Sequence, residues 1–139
     1  MIEHIWSVLC SRAVIDRETN NVSIQDVVEQ ITINAEPAEN GFLPFPFELI
    51  TLWGRKENDK PDKGIERVTF ITPSGKSEVV SENEIDLSTA ERHRQKLKFP
   101  GLPLDKSGKY YFKVEVKNEN NDWQQVSAVP LTIIFQPKV

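Results

Sequence analysis

The amino-acid sequence predicts an all-β antiparallel sandwich of about seven or eight strands forming one domain, 1–139. Three observations lead there. Residues 109–117 alternate strictly: Tyr110, Phe112, Val114 and Val116 fall on one face, and Lys109, Lys113, Glu115 and Lys117 on the other. That period of two is the mark of a half-buried strand, whereas a helix would scatter the same side chains around its circumference. Short apolar runs separated by turn residues recur along the rest of the chain. And a chain of 139 residues with 38% hydrophobic and 27% charged residues is near the usual size and composition of one globular domain.

The first strand is expected over residues 2–13. Ile2, His4, Trp6, Val8 and Cys10 oppose Ile5, Leu9 and Ala13, so both faces should be covered. Asp16 to Asn21 supplies turn residues, and Val22 opens a second strand. There Val22 and Ile24 are even-numbered but Val27, Ile31 and Ile33 are odd. One extra residue flips every later side chain, which predicts a bulge or bend near 26–28. Further strands are expected at 47–56, 65–72, 77–81, 94–99 and 123–135. Pro73 to Lys76 forms a compact turn, and Asn118 to Asp122 leads into the last strand. Pro130 lacks a ladder donor and predicts an edge or irregular position there. Ser88, Thr89, Ala90 and Glu91 have capping-box spacing, so one or two helical turns are an alternative over 88–95. The stretch 34–46 holds Pro37, Gly41, Pro44 and Pro46 around Phe42, Leu43 and Phe45, and is the longest irregular segment.

Leu104-Asp105-Lys106-Ser107-Gly108-Lys109-Tyr110-Tyr111-Phe112 resembles the late turn and strand of immunoglobulin-like sandwiches, in which a Tyr hydroxyl anchors a corner. The match departs at one extra residue between Asp105 and Gly108, and at Phe112, where antibody domains carry a cysteine. The resemblance implies an immunoglobulin-like architecture. The whole chain, through Val8 to Cys10, Val22 to Ile24, Phe47 to Trp53 and Gly108 to Tyr110, is also similar to a family of small bacterial β proteins of uncharacterised function. That likeness implies a bacterial intracellular setting and no activity.

Cys10 is the only cysteine, so no internal disulfide can form, and a reducing, cytoplasmic location is expected. The N-terminus carries Glu3 where a signal peptide has basic residues, and reads as part of the folded domain. No apolar run reaches the roughly 20 residues of a membrane span. A net charge of −4 argues against general nucleic-acid binding. The expected partner is therefore a protein, not nucleic acid or a membrane; the oligomeric state is open.

Cys10 with His4 or His93 is the only cysteine–histidine combination, and strand spacing keeps Cys10 away from His4. Two histidines and one cysteine make a poor zinc set, and no cofactor is expected. Calcium is a rival reading: Asp16, Glu18, Asn20 and Asn21 lie in one turn, Asp59 and Asp62 in another, Glu119 and Asp122 in a third. Eight strands running alternately up and down would bring these turns to one end. Their ordinary turn chemistry is the simpler explanation. Arg92, Arg94, Lys96 and Lys98 would share one face of an extended strand, with His93, Gln95, Leu97 and Phe99 opposite. Those cations suit an anionic contact, or simply a charged edge. Trp53 follows the rhythm of Phe47, Leu49 and Thr51 and belongs inside. Phe42, Leu43 and Phe45 are the candidate partner contact. The chain has no phosphate loop, nucleophile elbow or recognisable carboxylate pair. A non-enzymatic binding or protein-interaction module is the leading expectation. A small-ligand or calcium-binding module and a small hydrolase follow.

Overall fold

Alternating side chains close two sheets over one apolar interior in the computed structural model, which describes residues 1–38, 40–58, 60–118 and 122–137. Its strands are β1 (Ile2–Ile15), β2 (Val22–Val27), β3 (Gln30–Ile33), β4 (Phe42–Leu43), β5 (Phe47–Arg55), β6 (Asp62–Ile71), β7 (Ser77–Leu87), β8 (Arg92–Phe99), β9 (Leu102–Pro103), β10 (Gly108–Lys117) and β11 (Trp123–Phe135). One sheet has the order β2-β1-β5-β8 and the other β3-β11-β10-β6-β7, while β4 and β9 form a separate two-stranded ribbon. The count exceeds the expected seven or eight because β4 and β9 are added and the expected second strand divides into β2 and β3.

The alternation in β10 does what it predicts: Tyr110, Phe112, Val114 and Val116 are buried against Phe47, Leu49, Trp53, Val68 and Phe70 in a single core. Tyr110 also ties down the turn before its strand. Its hydroxyl accepts from the backbone N–H of Asp105 at 2.9 Å and donates to the carbonyl of Lys106 at 2.7 Å.

Three local expectations are corrected. No helix occurs among the described residues, and the 88–95 segment is a bend followed by β8. The physical reason is amphipathic: Phe99 is buried and Leu97 packs on the core, so period-two burial outweighs the capping-box spacing. The phase change near 26–28 is a change of sheet rather than a bulge. Asp26 adopts φ 51°, β2 ends at Val27, and β3 then joins β11 in parallel. Val22 and Ile24 accordingly pack with Cys10, whereas Ile31 and Ile33 pack on the main core. Finally, 34–46 is less irregular than expected, since Phe42 and Leu43 pair with Pro103 and Leu102.

The first strand is covered on both faces, as its composition predicts. A register shift between His4 and Trp6 lets Ile2 and Leu9 enter the main core while Trp6 and Cys10 face outward. Beyond Cys10, β1 leaves β5 and, with β2, folds across the outer face of its sheet. Cys10, Ala13 and Ile50 form a second small core there, with Trp6, Val22 and Ile24 against them. Pro130 lies ahead of Thr132–Phe135, the part of β11 that pairs with β3, so one side of β11 lacks a strand partner at that point. Among the described residues no helix is long and apolar enough to cross a membrane.

Candidate functional site

The ribbon β4–β9 lifts the proline-rich segment into one wall of a cleft at the end of the sandwich. Gly101 permits this closeness: a Cβ there would lie 2.2 Å from the Leu43 carbonyl oxygen. Leu104 N–H donates to Gly41 O at 2.7 Å and closes the ribbon onto the loop. The cleft encloses about 610 Å³ between Pro37, Asn40, Gly41 and Phe42 on one side and Thr72, Lys76, Ser77 and Glu78 on the other, with Phe70 at its base. Of the three residues expected to meet a partner, Phe42 is 55% exposed and Phe45 44% exposed, while Leu43 is partly buried against the core. Phe45 tilts against Phe47 with ring centroids 4.9 Å apart, so Phe42 is the aromatic group that borders the cleft.

The four cations of β8 do share the outer face, but the fold employs two of them. Lys96 Nζ donates to the Ala13 carbonyl at 2.9 Å and lies 3.7 Å from Glu48 Oε2. Arg94 donates to the Asn20 carbonyl at 2.9 Å. Both contacts fasten the β1–β2 hairpin. Arg92 and Lys98 are exposed and have no ion pair among the described residues.

The acidic turns do not assemble. Asp16 follows the end of β1 that is remote from Ile2, and Ile2 pairs with Arg55 beside the 56–61 turn. Lys117, before the 118–122 turn, pairs with Ile65 at the same end as the 56–61 turn. A strand of 14 residues therefore separates Asp16 from Asp62 and Asp122, roughly 40 Å at 3.3 Å per residue. Asp59 and Glu119 lie outside the described residues. Asp16 instead accepts the N–H groups of Glu18 and Thr19, which hold its carboxyl below the usual range. Among the described residues no cluster of three or more potential metal ligands occurs.

A buried polar group went unnoticed in the sequence. Glu66 is fully buried, and its Oε2 accepts from the Thr51 hydroxyl and from Trp53 Nε1 at 2.6 Å, while Oε1 has no partner among the described residues. Desolvation pushes its carboxyl up, against those hydrogen bonds and the field of His93. The signal was present: Glu66 shares parity with Val68 and Phe70, so alternation places it inward. Thr51, Glu66 and His93 thus bring together a hydroxyl, a carboxylate and an imidazole. Thr51 and Glu66 have no solvent exposure, so a substrate has no access to them. Cys10 donates to the Glu48 carbonyl at 3.5 Å, and burial followed by the nearby Glu48 charge pushes its thiol up, which disfavours a thiolate nucleophile.

No protein-family model matches the chain, and no curated protein matches it. Among solved structures it is similar to the C-terminal domain of wzt, with a TM-score of 0.44 and 14% identity over 95% of this chain and 72% of that one. It is also similar to a β-glucosidase from Kluyveromyces marxianus, with a TM-score of 0.39 and 10% identity over 74% of this chain and 15% of that one. At these values neither likeness bears on ligand or activity.

Proposed function

We propose that this chain is a non-enzymatic binding module that engages a protein partner at the cleft bordered by Phe42. The observation that carries the reading is a large aromatic side chain left 55% exposed at the rim of a 610 Å³ concavity. An exposed aromatic beside a concave surface is the usual form of an interaction anchor. Phe70 gives the cleft an apolar base, and Lys76, Glu78 and Asp105 give it a polar rim. The immunoglobulin-like assignment belongs to the same proposal. It is supported by the Tyr110 corner and by β1-β5-β8 facing β11-β10-β6-β7. So does a bacterial, cytoplasmic setting, supported by the whole-chain likeness and by the lone buried thiol.

The test places a photo-crosslinking amino acid at Phe42 in cells, identifies the captured protein, and titrates the purified pair. Phe42→Ser should weaken binding about tenfold or more, since a central aromatic anchor contributes at least 1.4 kcal/mol. Its own stability should move by less than about 0.5 kcal/mol, because the ring is exposed. Equal affinity for wild type and variant would sink the proposal. The cleft volume also suits a small ligand. A thermal-unfolding screen separates the two readings, because a saturating ligand raises the midpoint by several degrees.

A further inference from the structure

We propose that the open side of the sandwich, formed by β7 and β8, is a self-complementary interface that pairs with a second copy of this chain. The surface is distinct from the Phe42 cleft. β7 is the outer strand of one sheet and β8 of the other, so among the described residues neither has a strand partner on its far side. Both flank the same side of the molecule, joined by residues 88–91, and Gln95 Nε2 donates to the Glu84 carbonyl at 2.8 Å between them. The short connection makes the two strands run in opposite directions.

Their outward faces carry opposite charge. β8 presents the exposed Arg92 and Lys98, with Arg94 and Lys96 between them also bonded to the β1–β2 hairpin, and β7 presents Glu82, Glu84 and Asp86, at alternate positions in each case. Two copies of β8 repel one another, as do two copies of β7. Only β8 against β7 of another copy is attractive, so the charges that block same-edge pairing select one docking mode.

A two-fold axis parallel to the strands satisfies that mode twice. It preserves strand direction and exchanges the two sheets, so β8 of one copy lies antiparallel beside β7 of its partner on both sides of the axis. Heights along the strands are kept as well. The Gln95–Glu84 contact puts those residues at similar heights, and a neighbouring register that keeps both outward faces on one side sets Arg92, Arg94 and Lys96 opposite the partner copy's Asp86, Glu84 and Glu82. Lys63 sits 3.9 Å from Glu84, an exposed contact that the neighbouring cations would supplement. Each sheet then continues into the other copy, and the unpaired edge groups of both strands acquire partners.

Sedimentation velocity over a concentration series, at low and high salt, tests the arrangement. The wild type should form dimers that dissociate as salt screens the charges. Arg92→Glu and Asp86→Lys, which reverse the two members of one proposed cross-copy pair, should each shift the equilibrium towards monomer. Mixing the two should restore a dimer, because every reversed charge then meets an opposite one. Both side chains are exposed, and circular dichroism checks that each variant is folded. Hydrogen exchange of the wild type gives a second readout: β7 and β8 amides should gain protection with concentration. A wild type that stays monomeric to its solubility limit would overturn the proposal. So would a dimer that both charge reversals leave intact but Phe42→Ser disrupts.

Discussion

Glu66 sits on the inward face of β6 beside Val68 and Phe70, and its ionisation is opposed by its surroundings. Thr51 and Trp53 satisfy one oxygen and leave the other bare, and no cation pairs with it among the described residues. Its native-state pKa is therefore raised, foremost by desolvation. The protonated form is bound more tightly in the native state, so this group's contribution to stability is complete below the ordinary value of 4.5 and is lost as pH rises through the raised value. His4 acts in the opposite sense. Burial lowers its pKa, so its contribution is present above 6.5 and is lost as pH falls towards the lowered value. Comparing wild type with Glu66→Gln isolates the carboxyl. We expect the variant to gain on the order of 1 kcal/mol at neutral pH relative to its difference at acid pH. Denaturant unfolding at a series of pH values measures this, and identical pH slopes for both proteins would refute it.

At the scale of an element, the β1–β2 hairpin shows how a polar network docks one strand pair onto the outside of a sheet. Glu48 Oε2 accepts the Ala13 N–H at 2.7 Å, and Lys96 takes up the Ala13 carbonyl. Where β1 leaves β5 and its ladder ends, side chains replace the missing backbone partners. Glu48→Ala should leave the buried Ala13 N–H without a partner and Lys96 without its counter-charge, at a cost of about 1–3 kcal/mol. The loss should be local as well as global, with faster amide exchange over 11–27 than over β10. Uniformly unchanged protection of the hairpin would show that the small core around Cys10 suffices to hold it. The cations of β8 illustrate the same point from the sequence side. Their shared face was legible from alternation, but the division of labour among them was not. Arg94 and Lys96 meet Asn20 and Ala13, residues more than seventy positions earlier in the chain, and no local pattern encodes such a contact.

Over the whole molecule, one apolar cluster draws residues from both sheets, from Ile2 and Leu9 through Trp53 and Phe70 to Leu131 and Ile133. Neither sheet buries its inner face without the other, so unfolding should be a single transition. Tryptophan fluorescence, to which Trp6 and Trp123 contribute beside the buried Trp53, and far-ultraviolet circular dichroism should then give coincident denaturation curves. Separate midpoints would show that the outer hairpin or one sheet melts independently.

The sequence by itself determined the all-β class, the inward set of β10, the two faces of β8 and the interior place of Trp53. Each follows from the two-residue period of a strand, which is local. Only the tertiary structure decided where the 26–28 phase change leads, because switching between sheets and a bulge leave the same mark in a sequence. It alone separated the acidic turns, whose meeting depended on strand direction. It alone revealed that Glu48 is buried and that Glu66 meets Thr51 and Trp53, and that Phe42 borders a cleft while Phe45 rests on Phe47. These outcomes depend on which distant strands become neighbours, and that is fixed by the closing of two sheets on a common core.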